Sequence, residues 1–222
     1  MTAGSVRGIN ELIIHYRVMP QYLKEEVRER IIDSALDRFA DDGYAGATMA
    51  AIARAAGISA GNIYRYFDSK EALLDAVLPA SFVARFRALL RERLKAAQEV
   101  RAVQPAADRP AHGRPAESLL DFSIRHRRRV VLLLGRGAGT PYENVRDEVV
   151  EELMGAAIAH FSPSSQVGGR DPARSFVLEQ IYRNYVDSLV VLLQQLDEPE
   201  PIRRAVAAYE RYHLVGLNSF FG

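Results

Sequence analysis

The sequence predicts an all-α protein, on three observations. Apolar residues recur mostly at spacings of three and four, as on one face of a helix, and strict alternation over strand lengths is scarce. Residues that favour helix N-caps precede several of these periodic segments. Glycine or proline separates most of them. Together these patterns favour an N-terminal three-helix bundle with a helix-turn-helix, followed by a larger C-terminal helical domain.

The composition excludes several kinds of protein. The 222 residues contain no cysteine, which excludes a disulfide framework, thiol catalysis and the usual zinc sites. The longest wholly apolar runs, such as 130–134 and 189–193, fall far short of the ~20 residues that span a bilayer. The first residues lack the features of a secretory signal. We therefore expect a soluble cytoplasmic protein with no membrane association, no metal and no cofactor.

The first helix is predicted from about residue 22 to residue 41. Its inward face would consist of apolar side chains at the helical period: Val27, Ile31, Ala35, Leu36 and Phe39. Gly43 follows and is expected to end the helix, since glycine readily accepts left-handed backbone angles. Residues 1–20 precede this pattern and are interpreted as an N-terminal extension.

Three shorter helices are predicted next. Thr48 is a good N-cap for a helix over 49–56, which Gly57 ends. Ser59 is expected to cap a third helix that is over by Phe67. Asp68 and Ser69 are expected to cap a fourth, which contains Leu73, Leu74 and Val77.

Longer helices are predicted in the rest of the chain, over about 80–100, 116–134, 141–161, 172–195 and 201–218. Residues 103–115 hold three prolines and a glycine and are predicted to form a loop. Gly168-Gly169 and the segment 199–201 mark further breaks.

The segment 49–66 has the spacing of a helix-turn-helix. Ala53 is small, so a second helix can approach the first closely, and Gly57 four residues later supplies the turn. Ile52, Ile58 and Ile63 would fill the junction between the two helices. The pattern therefore predicts a DNA-binding motif.

Residues 58–74, Ile-Ser-Ala-Gly-Asn-Ile-Tyr-Arg-Tyr-Phe-Asp-Ser-Lys-Glu-Ala-Leu-Leu, closely resemble the most characteristic stretch of the TetR family of transcriptional regulators. Upstream residues also fall where that family places them: Phe39, Gly43, Tyr44, Thr48, Ile52, Ala53 and Gly57. The resemblance implies a helix-turn-helix domain over 21–75 and a ligand-binding and dimerisation domain over 76–222. It also implies a repressor that binds operator DNA as a homodimer and is released by a small-molecule effector.

The predicted DNA contacts follow from side-chain chemistry. Asn62 can pair with adenine and Arg65 with guanine or phosphate, while the rigid hydroxyls of Tyr64 and Tyr66 suit phosphate oxygens. Lys70 begins a helix, where backbone N–H groups also attract phosphate. By resemblance, Thr48, Tyr66 and Lys70 would hold the backbone. The full predicted set is Thr48, Ser59, Ala60, Gly61, Asn62, Tyr64, Arg65, Tyr66 and Lys70.

Charge is distributed unevenly along the chain. Residues 21–80 carry seven Lys/Arg and ten Asp/Glu, a balance of −3, which is unusual for a DNA-binding domain. Residues 81–137 carry thirteen Lys/Arg and five Asp/Glu, a balance of +8. The basic segment suits either an anionic effector or a helix face that is solvated or close to DNA, and the second is the simpler interpretation.

The last two helices are predicted to form the dimer. The helix over 172–195 is apolar all round from 189 to 193, which implies burial on two sides, although an ordinary intrachain core remains an alternative. The candidate dimer residues are Leu189, Leu192, Leu193, Val206, Tyr209 and Leu217. The candidate ligand-binding residues among the helices from 80 to 190 are His126, Tyr142, Asn144, Gln180, Tyr182 and Tyr185.

Two other functions fit parts of the sequence. Residues 130–134, followed by a glycine-rich segment over 135–140, superficially suggest a strand and a phosphate loop, but no nucleotide-binding motif accompanies them. An enzyme is therefore not expected. A DNA-binding architectural protein without an effector is the second alternative, and a solid C-terminal core would favour it.

Overall fold

The computed structural model describes residues 7–103, 114–161 and 171–221, and within these ranges it is helical with no strand. The α-helices are α1 Arg7–Gly46, α2 Met49–Ala55, α3 Lys70–Val77, α4 Ala80–Val103, α5 Arg114–Arg125, α6 Arg127–Gly135, α7 Val145–Phe161, α8 Pro172–Gln195 and α9 Pro199–Phe221, with a 3-10 helix over Ile63–Arg65. The all-α prediction is confirmed.

The chain divides into two units. The first comprises the described residues up to Arg38 together with Ala47–Val77, and the second comprises Phe39–Gly46 and the described residues from Leu78 onward. No helix within the described residues combines the length and apolar character needed to cross a bilayer.

The first unit is built around side chains that the helical period places inward. Ile31, Ala35, Ile52, Ile63 and Leu73 are each completely buried. Val27 and Leu36, also predicted for the inner face of α1, are half-buried. α1, α2 and α3 thus share one apolar core, as expected of a three-helix bundle.

Helix α1 is longer than predicted. It begins at Arg7 rather than near residue 22, so most of the predicted N-terminal extension is helical and continuous with α1. Gly43 has φ +76° and ψ 157°, so the helical backbone is interrupted where the sequence predicts the end of the helix. The helical backbone resumes after Gly43 and continues to Gly46.

The predicted α-helix over 59–67 is wrong. The structure has a turn followed by the 3-10 helix Ile63–Arg65, whose N-cap residue is Asn62 rather than Ser59 and accepts no capping hydrogen bond through its side chain. Gly61 sits in the middle of this short segment and disfavours a regular α-helix. Backbone bonds of the i to i−3 type form instead, such as Asn62 N–H to the Ser59 carbonyl at 2.9 Å.

Two C-terminal boundaries also differ from prediction. The single helix over 116–134 is broken at His126, which has non-helical angles (φ −116°, ψ 31°) and separates α5 from α6. The sequence has no proline or glycine next to His126 that would predict this break. Helix α7 begins at Val145 rather than at 141, because residues 140–144 form turns. The predicted loop lies mostly outside the described residues, and the break at Gly168-Gly169 lies wholly outside them.

Helix α6 buries its apolar residues within the second unit. All five residues of Val130–Leu134 are buried, so the run that superficially suggested a strand is a core helix. Its last residue, Gly135, approaches α8 so closely that an added Cβ would lie 2.8 Å from Val190 Cγ1. The backbone carbonyl of Arg136, just after α6, accepts a hydrogen bond from the Tyr44 N–H at 3.3 Å.

Candidate DNA-binding surface and C-terminal cluster

The turn of the helix-turn-helix forms as predicted. Thr48 caps α2 by accepting a hydrogen bond from the Ala51 N–H at 3.2 Å. Gly57 adopts φ +72°, a conformation that strains residues with a Cβ. The turn closes with a bond from the Ile58 N–H to the carbonyl of the fully buried Ala53 at 2.9 Å.

The segment after this turn presents its polar side chains outward. Ile63 (0% exposed) and Phe67 (5%) anchor it from inside. The predicted contact residues Ser59, Ala60, Gly61, Tyr64 and Arg65 are exposed, and Asn62 and Tyr66 are half-buried. The structure therefore brings seven of the nine predicted DNA-contacting residues together in one short turn and 3-10 helix.

Tyr64 is the unusual member of this surface. Its ring is 52% exposed on a segment that is otherwise fixed by buried anchors. Arg65 beside it and Arg54 at the end of α2 are also exposed, and neither forms an ion pair within the described part of the chain. The Tyr64 hydroxyl and the two guanidinium groups can donate hydrogen bonds to phosphate oxygens and to base edges.

The remaining two predicted contacts lie at helix starts. Thr48 is exposed at the start of α2. Ser69 caps α3 by accepting a bond from the Ala72 N–H at 3.1 Å, as predicted, and Lys70 is the first residue of that helix. Partial burial lowers the pKa of Lys70 from its ordinary value, while the Glu71 carboxylate opposes this shift.

Arg28 is a further cation in the first unit. Its guanidinium lies over the Phe67 ring, 5.2 Å from the ring centroid, and 3.7 Å from a carboxylate oxygen of Glu25. The aromatic face restricts where this side chain can lie, so α1 also contributes an ordered positive charge to this unit.

The predicted ligand-binding residues are dispersed over the second unit. His126 lies between α5 and α6, Tyr142 and the exposed Asn144 precede α7, and the other three are on α8. Two of these, Tyr182 and Tyr185, are each 5% exposed, and their ring centroids are 6.4 Å apart. Gln180 and Tyr142 are half-buried.

His126 belongs to an aromatic cluster with residues of α4 and α5. Its ring centroid lies 5.5 Å from that of Phe82 and 4.8 Å from that of Phe122. Burial, followed by the charges of Arg129 and Arg125, lowers the pKa of His126. A neutral, half-buried imidazole on an aromatic face can stack and hydrogen-bond with a ligand, and equally can serve as core.

Tyr185 lies in a second cluster that the sequence did not predict. Its ring stacks on His213 at 4.2 Å and on Tyr209 at 5.5 Å between centroids. Arg93 of α4 forms an ion pair with Glu210 of α9, and its positive charge acts on the nearby Tyr185 hydroxyl. Three helices therefore meet at one buried group of charged and aromatic side chains.

Burial shifts the protonation of this cluster. It raises the pKa of Tyr185 to about 12, although the Arg93 charge opposes the shift. It lowers the pKa of His213 to about 4, although Glu210 opposes that shift. His213 Nε2 is buried and has no hydrogen-bond partner within the described residues.

The sequence could not reveal this cluster. Arg93 and Glu210 are 117 residues apart, and neither belongs to a motif. His213 is one of five histidines without a distinctive spacing. The association depends on how α4, α8 and α9 pack, which no local pattern encodes.

The predicted dimer residues fall into two groups. Leu193, Val206 and Leu217 are 3–6% exposed in the single chain, so they pack inside it. Leu189, Leu192 and Tyr209 are half-buried. The same helices expose other large apolar side chains to solvent: Phe176, Val177, Val191, Tyr212, Leu214 and Val215.

The described residues of the second unit form grooves on its surface. A groove of about 660 Å³ runs between α8 and α9, with Val191, Leu192, Tyr209 and Tyr212 among its lining residues. A second, of about 390 Å³, lies between α5 and α9 and is lined largely by charged side chains. The six predicted ligand-binding residues line neither groove.

Comparison with known proteins identifies the first unit. Residues 31–77 match the family model described as bacterial regulatory proteins, tetR family. The chain is 48% identical over 54 residues to the HTH-type transcriptional regulator SrpR of Pseudomonas putida, a match that covers 24% of this chain and 25% of SrpR. It is 38% identical over 66 residues to the regulator UidR of Escherichia coli K12, which covers 28% of this chain and 34% of UidR. The chain thus spans only a quarter to a third of these relatives.

The matches that cover more of the chain have lower sequence identity. The uncharacterized HTH-type regulator YuxN of Bacillus subtilis is 25% identical over 174 residues, which covers 76% of this chain and 56% of YuxN. The crystal structure titled probable transcriptional regulatory protein RHA5900 matches with a TM-score of 0.53 and 22% identity, covering 86% of this chain and 97% of that one. This likeness shows the fold. The relatives are transcriptional regulators, not enzymes.

Proposed function

We propose that this chain is a transcriptional regulator of the tetR family of bacterial regulatory proteins, with a DNA-binding domain in its first unit. It would repress its target genes in the cytoplasm by binding operator DNA as a homodimer. A small molecule that binds the second unit would release it. The observation that carries the proposal is the outward presentation of Asn62, Tyr64 and Arg65 on a turn anchored by Ile63 and Phe67.

This surface suits a duplex better than a protein partner. Ala60 and Gly61 carry almost no side chain, so backbone can approach bases and thymine methyl groups. Asn62, Tyr64 and Arg65 supply donors at the same level, and Thr48 and Lys70 stand at two helix starts where phosphates bind.

Dimerisation is supported by the outer face of α8 and α9. Val191 (52% exposed), Tyr212 and Val215 present apolar surface beside the 660 Å³ groove. Exposed apolar patches of this kind mark protein interfaces. A twofold dimer would also offer two copies of the helix-turn-helix to half-sites about one DNA turn, ~34 Å, apart.

The proposal of effector binding is supported by two groups of aromatic side chains in the second unit. His126 with Phe82 and Phe122, and Tyr182 with Tyr185, offer aromatic walls with polar tips, as ligand sites generally do. An effector that binds one arrangement of the dimer more tightly shifts the population towards it and lowers DNA affinity. An architectural protein without an effector is the alternative, distinguished by DNA affinity that no metabolite changes.

The test begins with selection of duplexes from a random-sequence library by the purified protein. We expect a palindromic consensus with half-sites about one turn apart, and affinity that falls steeply with salt. Val215→Asp should weaken the dimer in sedimentation experiments, whereas Leu23→Asp, which also places a charge at an exposed apolar residue, should not. Selection of no consensus, or a monomer bound to a single half-site, would contradict the proposal.

A further inference from the structure

Three aromatic rings meet where helices α4, α5 and α6 come together in the second unit. The Phe82 and Phe122 rings stack with their centroids 4.9 Å apart and their planes 29° from parallel, and the His126 ring meets that of Phe82 edge-on, at 88°. All three residues are half-buried, so this group, here called the His126 cluster, is not sealed inside the core. Partly exposed rings can stack with a planar ligand.

Two guanidinium groups lie beside the His126 cluster. Arg129 lies over the Phe82 ring, 6.0 Å from its centroid, and Arg125, four residues earlier, is exposed. Burial lowers the pKa of His126, and the charges of Arg129 and Arg125 lower it further; within the described part of the chain these are the charges that shift it. The cluster therefore lies in a positive potential, which favours an anion and disfavours a cation.

The arginines between these two have acidic partners. Arg127 pairs with Asp197, and Arg128 pairs with Asp41. Those carboxylates offset the charges of the two inner arginines, so the positive potential at the rings comes mainly from the outer two. The basic run over 125–129 is thus divided between ion pairs of the fold and the surroundings of the His126 cluster.

The starts of two helices add to this potential. Phe82 is the third residue of α4, and His126 directly precedes α6. Neither helix has an acidic residue in its first turn, so the positive ends of both helix dipoles are left uncompensated there. Aromatic surface and positive charge therefore coincide at one place.

We propose that the His126 cluster, together with Arg125 and Arg129, binds an aromatic carboxylate, and that a compound of this class is the effector. The ligand ring would stack on the phenyl and imidazole rings, and its carboxylate would accept hydrogen bonds from guanidinium groups, whose planar geometry matches it. The inference rests on the proposed ligand-responsive regulator and adds the chemical class of its effector.

Three probes of similar size separate the contribution of the ring from that of the charge. 2-Naphthoate has both, 2-naphthamide keeps the ring without the charge, and decalin-2-carboxylate keeps the charge on a saturated ring. Calorimetry measures binding of each to the full-length protein without DNA. We expect 2-naphthoate to bind at least about tenfold more tightly than 2-naphthamide, because charged hydrogen bonds are the stronger ones, and about threefold more tightly than decalin-2-carboxylate, because only an aromatic ring stacks.

The two guanidinium groups are tested with R125Q/R129Q. We expect this variant to bind 2-naphthoate at least about tenfold more weakly and 2-naphthamide within about twofold of wild type. The matched control, R87Q/R91Q, removes two positive charges from α4 that pair with acids of α7, and it should stay within about twofold of wild type for both probes. Circular dichroism checks folding, and R125Q alone, at an exposed residue, should show a smaller loss in the same direction even if the double variant does not fold.

Nuclear magnetic resonance of the histidine rings shows where the probe binds. A carboxylate beside His126 favours the imidazolium, so 2-naphthoate should raise the pKa of His126 towards its ordinary value, whereas 2-naphthamide should not. H126Q identifies the resonance of this ring among the five histidines of the chain. His213, which belongs to the cluster with Tyr185, should not respond and serves as the internal control.

Duplex binding tests the regulatory part of the inference. 2-Naphthoate should weaken binding of the duplex that the wild-type protein selects by at least about fivefold, and this effect should be lost in R125Q/R129Q. Binding of 2-naphthoate that leaves duplex affinity unchanged would overturn the effector role.

The binding site itself would be overturned by equal affinity for 2-naphthoate and 2-naphthamide, by unchanged affinity in R125Q/R129Q, or by a His126 pKa that 2-naphthoate does not raise. These measurements need no DNA. A wild-type protein that selects no duplex would instead contradict the proposed function, and the three probes would still decide whether the His126 cluster binds aromatic carboxylates.

Discussion

Different interactions stabilise the two units of the protein, each within itself. In the first, a compact apolar core fixes the helix-turn-helix, and the polar side chains of the segment from Ser59 to Arg65 are directed to solvent. In the second, ion pairs join helix to helix, as between Arg146 and Asp187 or between Arg203 and Asp121. Cations of the second unit are largely engaged within the fold, whereas Arg54 and Arg65 of the first are available to a ligand.

This difference accounts for the unusual charge balance. The +8 segment includes Arg87, Arg91, Arg93 and Arg127, all of which pair with acids of the same unit. These four arginines of the basic stretch therefore have a structural role. In the acidic first unit, in contrast, Arg54 and Arg65 are exposed, as the proposed contact with a duplex requires.

The largest effect on stability should come from the apolar core of the first unit. Ile63→Ala removes a fully buried side chain and should lower the free energy of unfolding by about 2–5 kcal/mol. Urea denaturation followed by circular dichroism measures this. Its neighbour Tyr64 is 52% exposed, so Tyr64→Ala should change stability by no more than about 0.5 kcal/mol. Equal losses for both would show that the core is not where the structure places it.

A smaller loss is expected at the contact of α6 with α8. An added Cβ in Gly135→Ala would lie 2.8 Å from Val190 Cγ1, and we expect a cost of about 1–3 kcal/mol. Val190→Ala opens space at that contact, so the double variant G135A/V190A should be less destabilised than the sum of the two single variants. Strict additivity in denaturation experiments would mean that the helices do not approach this closely.

His213 should make stability depend on pH. Its folded pKa of about 4 lies below the ordinary value of 6.5, so the unfolded state binds more protons between these values and stability falls as pH drops through this window. At pH 5, His213→Phe should therefore gain roughly 1–2 kcal/mol relative to wild type beyond any difference at pH 7, allowing for partial exposure of the imidazole. Glu210 is present in both proteins. A difference that stays constant from pH 7 to pH 5 would rule out this protonation change.

The smallest effect belongs to the exposed ion pairs of the second unit. Arg91→Met removes a pair with a 66% exposed arginine and should cost less than about 1 kcal/mol, because solvent and salt screen it. The loss should nearly vanish at about 1 M salt, where screening acts within a few ångströms. A large, salt-independent loss would place this pair among the structural elements of the core.

Sequence reasoning was most accurate where the signal is local. The caps at Thr48 and Ser69 and the positive φ of Gly57 each depend on a few neighbouring residues, and each was predicted. The segment after Gly57 was expected to be α-helical, but Gly61 and short-range bonding favour a 3-10 turn.

Tertiary features were harder to predict. The break at His126 carries no proline or glycine and coincides with packing against Phe82 and Phe122. The apolar period of α8 and α9 indicates buried faces but not whether the same chain or a second copy covers them. For that reason the sequence predicts Leu193 for the dimer although it packs inside the chain, whereas the exposed Val191 is not among the predicted residues.

The most direct test of the account is the affinity of N62A/Y64A/R65A for the duplex that the wild-type protein selects, measured by fluorescence anisotropy. The three substitutions lie on exposed or half-buried side chains, so folding and assembly should match wild type. We predict a loss of affinity of more than about 100-fold, because each good base contact contributes about 1–3 kcal/mol. Affinity within about twofold of wild type, in a folded protein of unchanged assembly, would contradict the assignment of this surface to DNA.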